Sequence, residues 1–242
     1  MSRTPRIALE PEPRPTYLAD AIVDGGGEIV PLEECEAIVW ADPRGAAGLA
    51  AAVRRAPQAT WVQLPFAGVE EFIDHLDRQR QWTCGKGVYA RPVAELALAL
   101  GLAGLRGLGE YARTDTWTAQ RGHTLLGGRV TILGGGAIAE CLVELLSPWD
   151  VHITVVRNRV QHMDGVDLVL EADRYADGLA GADLVVLALA LTPDTEGLIG
   201  ADELALMEEH AWLVNVARGR HVVTDDLVAA LAEGLIGGAG LE

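Results

Sequence analysis

Short apolar runs alternate with amphipathic stretches along nearly the whole chain. Residues 6–9, 28–30, 37–40, 60–63 and 82–83 read as strands, and so do 129–133, 152–156, 166–170, 184–189, 212–216 and a last run starting near Ile236. Between them, residues 46–55, 69–76, 138–146, 202–207 and 224–232 carry helical spacing. Such alternation is the signature of a parallel sheet covered by helices. The longest helical pattern runs from Pro92 to about Leu108. A proline suits a first helical turn, because the N–H it lacks is one the helix leaves unpaired anyway. The economical reading is two α/β units, 1–92 and 93–242, the second opening with that helix. The polar stretch 114–127, with Trp117 and His123, suits an exposed arm, a dimer contact or a plain surface loop.

Composition narrows the partners. Half of the 242 residues are hydrophobic and 22% are charged, which is enough apolar material for a packed core. Nineteen basic against 35 acidic side chains leave a net charge of −16. A surface of that sign repels phosphate backbones and anionic lipid, so neither nucleic acid nor a membrane is an expected partner. An anionic ligand would need a local cationic cluster. Cys35, Cys84 and Cys141 are scattered and form no CxxC pair, which argues against a disulfide framework and against structural zinc; no metal is expected. Reduced thiols, the lack of an apolar leader and apolar runs well short of the ~18 residues of a membrane span predict a cytoplasmic protein.

The strongest local signal is residues 130–139, V-T-I-L-G-G-G-A-I-A: an apolar strand, then G-x-G-x-x-A, then a helix. Gly134 permits the tight turn, Gly136 lets a pyrophosphate approach the backbone, and Ala139 lets the helix pack close to the strand. The N–H groups that open such a helix have no partner within it and point at an anion. The flanking strand and helix are the context that raises this motif above a chance match. A free ribose 2′-hydroxyl is normally held by a carboxylate about 20 residues beyond the first glycine. Here the strand tip reads Arg157-Asn158-Arg159. Two guanidiniums match a 2′-phosphate through forked, charge-assisted hydrogen bonds, which favours NADP(H) over NAD(H). Alternatively both arginines are solvated and stack on adenine, which leaves cofactor choice loose.

Two later runs add to this. Residues 183–195 form an apolar strand that ends in a Thr-Pro-Asp-Thr turn, and residues 212–219 form another that ends in Ala217-Arg218-Gly219. An arginine at the carboxyl edge of a parallel sheet is well placed to clamp a carboxylate.

Taken together, these stretches resemble the D-isomer-specific 2-hydroxyacid dehydrogenase family, NAD(P)-dependent, over most of the chain. W-V-Q-L-P-F-A-G-V (61–69) resembles its substrate loop, G-V-Y-A-R-P-V-A-E (87–95) the start of its interdomain helix, and N-V-A-R-G (215–219) its signature around a catalytic arginine. The resemblance implies a Rossmann-type doubly wound parallel sheet plus a flavodoxin-like α/β substrate domain, the last elements of the cofactor domain missing. It further implies hydride transfer between NAD(P)H and a small 2-keto or 2-hydroxy acid. Arg218 would be catalytic, binding the substrate carboxylate and carbonyl, with Ala67 and Gly68 at its other end. Gly134, Gly136, Ala137 and Ile138 would cradle the pyrophosphate, with Arg157 and Asn158 near the adenosine ribose. Leu189, Thr195, Val216 and Ala217 would line the cofactor, and Glu242 stands where the family has an aspartate. A homodimer built through the cofactor domain is also implied.

The chain departs from the family in lacking the downstream carboxylate and histidine that act as general acid and base. That pattern fits a C-terminal truncation, or a dinucleotide-binding scaffold or regulator with little turnover. His221, three residues past Arg218, is expected to be an exposed or helix-leading side chain with no catalytic role. A methyltransferase is disfavoured, since it would want an acidic ribose ligand where Arg157 stands.

Overall fold

A computed structural model describes residues 3–242, which divide into two compact units with the boundary between Val88 and Tyr89. The division precedes the long helix, whereas the boundary read from the sequence lies inside that helix's first turn.

The first unit contains β1 (Arg6–Glu10), α1 (Thr16–Asp24), β2 (Glu28–Ile29), β3 (Ala37–Trp40), α2 (Ala46–Arg55), β4 (Trp61–Gln63) and β5 (Gln81–Thr83). Its five strands pair in parallel in the order β2-β1-β3-β4-β5, the flavodoxin-like arrangement. Ile38, Leu49, Val62, Leu64 and Phe72 are fully or almost fully buried in its core. The helix expected over 69–76 is a tight 3-10 turn, Glu70–His75. Phe72 is its one buried residue, and a single apolar anchor supplies too little packing to offset the nucleation of a short α-helix.

The second unit opens with α3 (Ala90–Leu105) and α4 (Leu108–Tyr111), followed by β6 (Arg129–Leu133), α5 (Ala137–Leu146), β7 (His152–Arg157) and β8 (Leu168–Glu171). After these come α6 (Tyr175–Leu179), β9 (Leu184–Leu187), α7 (Ala201–Leu204), β10 (Trp212–Asn215), α8 (Thr224–Glu233) and β11 (Gly238–Leu241). Its strands are also all parallel, in the order β11-β10-β9-β6-β7-β8. Counted from β6, that is the doubly wound Rossmann order.

Both faces of this sheet are covered, and its central strand β9 is apolar and buried at every position. On one face α5 packs Ala139, Leu142, Val143 and Leu146, a helical i, i+3, i+4, i+7 stripe. On the other, Leu204 of α7 and Leu227 and Ala230 of α8 close a second cluster around Leu187 and Leu213. Each fully buried leucine contributes about 1.5–3 kcal/mol by leaving water. Helix α3 stops at Leu105, three residues earlier than its pattern suggests, because Arg106 and Gly107 turn the chain into α4. Strands β9 and β10 likewise end before Leu189 and Val216, so those residues stand just outside the sheet's carboxyl edge.

Candidate functional site

In an open parallel sheet, ligands bind outside the carboxyl ends of the strands, where the strand order reverses. In the second unit that reversal lies between β6 and β9. Gly134 leaves β6 there, its N–H donating to Val156 O at 2.9 Å, and Ala188 leaves β9 beside it, donating to Leu133 O at 2.8 Å. Gly134 has a φ of +116°, and a Cβ at that position would lie 2.3 Å from the Ala188 carbonyl oxygen. Gly136 caps α5, and a Cβ there would meet nothing within 4 Å. The approach to the helix start is therefore open. The first intrahelical donor is Glu140, which reaches Gly136 O at 3.1 Å. The N–H groups of Ala137, Ile138 and Ala139 precede it, and Ala139 itself is fully buried against the sheet.

The strand tip of β7 meets the same turn. The Arg157 stem crosses Gly135, whose added Cβ would lie 2.8 Å from Arg157 Cδ and 2.9 Å from Nε. Arg157 is half-buried, and Asn158 and Arg159 are exposed. A cationic fork thus stands beside an open turn of backbone N–H groups, and this donor set fits a nucleotide diphosphate. It also provides the local positive site that a chain of net charge −16 needs to hold an anion.

Across the reversal, the segment after β9 folds into a closed turn. The Thr195 hydroxyl donates to Ala190 O at 2.8 Å and accepts the Thr192 N–H at 2.8 Å. Leu189 and Thr195 are both half-buried at its mouth. The next strand exits beside it: Val216 N donates to Leu187 O at 3.3 Å, and Glu242 N to Asn215 O at 3.2 Å after β11. Asn215 is 3% exposed and brackets the Arg218 turn, its Oδ1 accepting Ala217 N–H at 3.0 Å and its Nδ2 donating to Arg218 O at 2.8 Å. Arg218 is exposed, with an Nη1 donor to Ala217 O at 2.7 Å. The second-unit residues assigned to cofactor or substrate therefore stand on one edge. Ala67 and Gly68 belong to the first unit, on the loop after β4, with Ala67 exposed.

His221 departs from the expectation of an exposed side chain. It is 0% exposed, with Nδ1 2.8 Å from Thr195 O and Nε2 3.3 Å from Leu189 O. Two carbonyls that only accept hydrogen bonds draw the ring inward. From the sequence His221 was given no role, and the Asn215 bracket was not singled out. A lone histidine carries no local signal, whereas a polar residue closing an apolar strand at its carboxyl end was a usable one. The other close histidine contact lies at the opposite edge. His210 Nε2 is 2.5 Å from Asp183 Oδ1 and stacks on His123 with ring centroids 4.3 Å apart. Asp183 and His210 precede β9 and β10, at the strands' amino ends, beside a cavity of about 510 Å³ that Gly104, His123 and Trp212 help line. Among the described residues, no group of three or more His, Cys, Asp or Glu could hold a metal ion, and no helix is long and apolar enough to cross a membrane.

Residues 83–242 match the family model described as D-isomer specific 2-hydroxyacid dehydrogenase, NAD binding domain. An uncharacterized protein of Corynebacterium melassecola is 32% identical over 92% of this chain and 75% of its own length. The human glyoxylate reductase/hydroxypyruvate reductase is 34% identical over 62% of this chain and 48% of its own. A crystal structure of a D-isomer specific 2-hydroxyacid dehydrogenase from Xanthobacter autotrophicus Py2, in complex with NADPH and MES, superposes with a TM-score of 0.81 at 22% identity, covering 99% of this chain and 81% of that one. The two parallel sheets are those of a Rossmann-type α/β fold, and the glycine turn belongs to a nicotinamide-dinucleotide domain. The chain is a member of the D-isomer-specific 2-hydroxyacid dehydrogenase family. Its matches span about half the length of the curated reductases among its relatives.

Proposed function

We propose that the chain binds a nicotinamide dinucleotide, NADP(H) in preference to NAD(H), and catalyses hydride exchange with a small 2-keto or 2-hydroxy acid. The observation that carries this reading is the single edge holding the open turn at Gly136, Arg157 across Gly135, and Arg218 at the end of β10. Strand β9 lies between β6 and β10, so the phosphate turn and Arg218 are about two strand spacings, roughly 10 Å, apart. A dinucleotide is long enough to span that gap.

The dinucleotide, when bound, supplies the hydride. Ala137 and Ile138 offer backbone N–H groups to its diphosphate, with Gly134 and Gly136 leaving room. Arg157 and Asn158 reach the adenosine ribose, where the guanidinium suits a 2′-phosphate. Leu189, Thr195, Val216 and Ala217 line the groove toward β10, with Glu242 at its far side. Arg218 pairs with the acid's carboxylate and donates to the carbonyl oxygen, which gains negative charge as C2 is reduced. In the first unit, Ala67 and Gly68 are the residues we propose for contact with the acid. The relative crystallised with NADPH supports the cofactor class, and the human relative's name makes glyoxylate and hydroxypyruvate the first acids to try.

A second reading, a dinucleotide-binding scaffold with little turnover, is favoured by the histidines. His221 is buried with its ring nitrogens facing carbonyls, and His210 stands at the far edge. Titrating NADPH and NADH by fluorescence, alongside turnover of glyoxylate, hydroxypyruvate and pyruvate, decides between them. Turnover with tighter NADPH binding supports the first reading, binding alone supports the scaffold, and absence of binding rejects both. We also assign a homodimer built through the second unit, with the fully exposed Trp117 as a contact; a monomer in sedimentation would reject it. The free thiols suit a reducing compartment, the cytoplasm.

A further inference from the structure

Two segments meet at the carboxyl edge between β9 and β10. One is the turn from Ala188 to Ile199, and the other is the 3-10 turn Gly219–His221 that follows Arg218. They are joined along their backbones: Gly197 N donates to Arg220 O at 2.8 Å, Ile199 N to His221 O at 2.9 Å, and Val223 N to Ile199 O at 2.9 Å. On the exposed side, Arg220 grips both Glu196 carboxylate oxygens at 2.7 Å. These links hold the far end of the turn. The near end, at Leu189 and Thr195, is reached by the buried imidazole of His221.

We infer that His221 is a positioning residue, whose ring clasps the mouth of the 189–195 turn onto the segment that carries Arg218. The inference rests on the cofactor groove proposed above and adds what keeps its two walls in register. Both facing oxygens belong to carbonyls, so the ring must donate. The 2.8 Å contact assigns an N–H to Nδ1, directed at Thr195 O. Neutral imidazole satisfies that bond alone, and the protonated ring satisfies Leu189 O as well. In either state Thr195 is held. The Thr195 hydroxyl, bonded to Ala190 O and the Thr192 N–H, passes that restraint through the whole turn. His221 N–H reaches Arg218 O at 3.1 Å, and Asn215 Nδ2 reaches the same oxygen. One buried residue thereby ties the groove wall to the backbone of the arginine. A groove wall that shifts by about 1 Å against a reacting group costs up to roughly 100-fold in rate.

The test uses the whole chain with three substitutions. His221→Leu fills the volume without a donor, and His221→Asn places an amide N–H near the Nδ1 position. His221→Gln places one nearer Nε2. NADPH affinity is read from quenching of tryptophan fluorescence, turnover with glyoxylate, and turn mobility from amide hydrogen exchange at Thr195 and Glu196 without nucleotide. His221→Leu should weaken NADPH binding about fivefold and lower kcat about tenfold while KM for the acid moves less than about twofold. Its exchange at Thr195 and Glu196 should quicken, and His221→Asn should recover most of each loss. Wild-type values in His221→Leu, or no recovery in His221→Asn, would overturn the clasp. If His221→Leu does not fold, Asn must come closer to the wild type than Gln, and equal values overturn the inference. A wild-type chain that binds no dinucleotide rejects the groove itself, and the exchange measurement then judges the clasp alone.

Discussion

Each unit reverses its strand order once, the first between β1 and β3 and the second between β6 and β9, yet the two reversals carry opposite chemistry. Strand β1 ends at Glu10 and the chain continues Pro11-Glu12-Pro13-Arg14, and after β3 it reaches Asp42. Arg14 is spent at once: its Nε donates to Leu9 O at 2.9 Å and lies 3.0 Å from Glu12. Asp42 Oδ1 turns back to accept the Arg44 N–H at 2.9 Å. Proline and self-paired charge close that reversal to an anion. At β6 and β9, glycine, a helix start and Arg157 leave the equivalent place open and positive. Topology supplies a crevice in both units, and the residues at the strand ends decide whether anything binds there.

Six substitutions, two of them controls in the first unit, would break or sharpen that contrast. The largest effect is expected from Gly134→Ala, whose Cβ would strike the Ala188 carbonyl at a φ of +116°. It should cost about 3 kcal/mol or more in urea unfolding and abolish dinucleotide binding. Gly26→Ala in the first unit has the same handedness problem, at a φ of +81°, but open space around it; about 1–2 kcal/mol is expected. Equal costs at the two positions would show that close packing at the second reversal is not what demands glycine.

Arg218→Lys comes next. Loss of the planar fork should lower kcat/KM for the keto acid about 100-fold, while NADPH affinity measured by fluorescence stays nearly intact. Arg14→Lys, at the closed reversal of the first unit, should alter neither. Lost nucleotide binding in Arg218→Lys would move that residue from substrate to cofactor.

Arg157→Asp should weaken NADPH about 10- to 100-fold, the worth of a charge-assisted hydrogen bond pair, and leave NADH much less affected. Equal losses in parallel titrations would reject the 2′-phosphate assignment.

The smallest effect concerns Tyr175, whose hydroxyl donates to Glu203 Oε1 at 2.9 Å. Burial, and then the Glu203 hydrogen bond and charge, push its phenol above the ordinary value. The fold favours the protonated form, so this contribution is whole below about pH 10 and is lost as pH rises through the raised value. Tyr175→Phe should cost about 1 kcal/mol at neutral pH and flatten the alkaline end of the stability profile. An unchanged alkaline slope would mean that other groups dominate it.

Much of this was legible along the chain. Helix α2 falls on the residues its apolar spacing marks, and α5 begins one residue before its pattern. The glycine turn was readable because each of its positions has a separate local reason to be small. The 69–76 segment misled, since one buried phenylalanine at helical spacing looks the same whether it anchors an α-helix or a 3-10 turn. The arginine at 157 could be read as a phosphate ligand or as a solvated side chain. Its path across Gly135 became visible only once β7 lay beside β6.

By itself the sequence determined the period of every long element, the conformation of the phosphate turn and the chemical character of each strand end. These depend on neighbours a few residues apart, through side-chain alternation, helix-start donors and the absence of a Cβ. Only the tertiary structure decided which strand ends stand together, that Thr195 and Leu189 face a buried His221 some thirty positions later, and that Asn215 braces the Arg218 turn. Those pairings follow from strand order. Strand order minimises exposed apolar surface over the whole sheet, a sum that no local window contains.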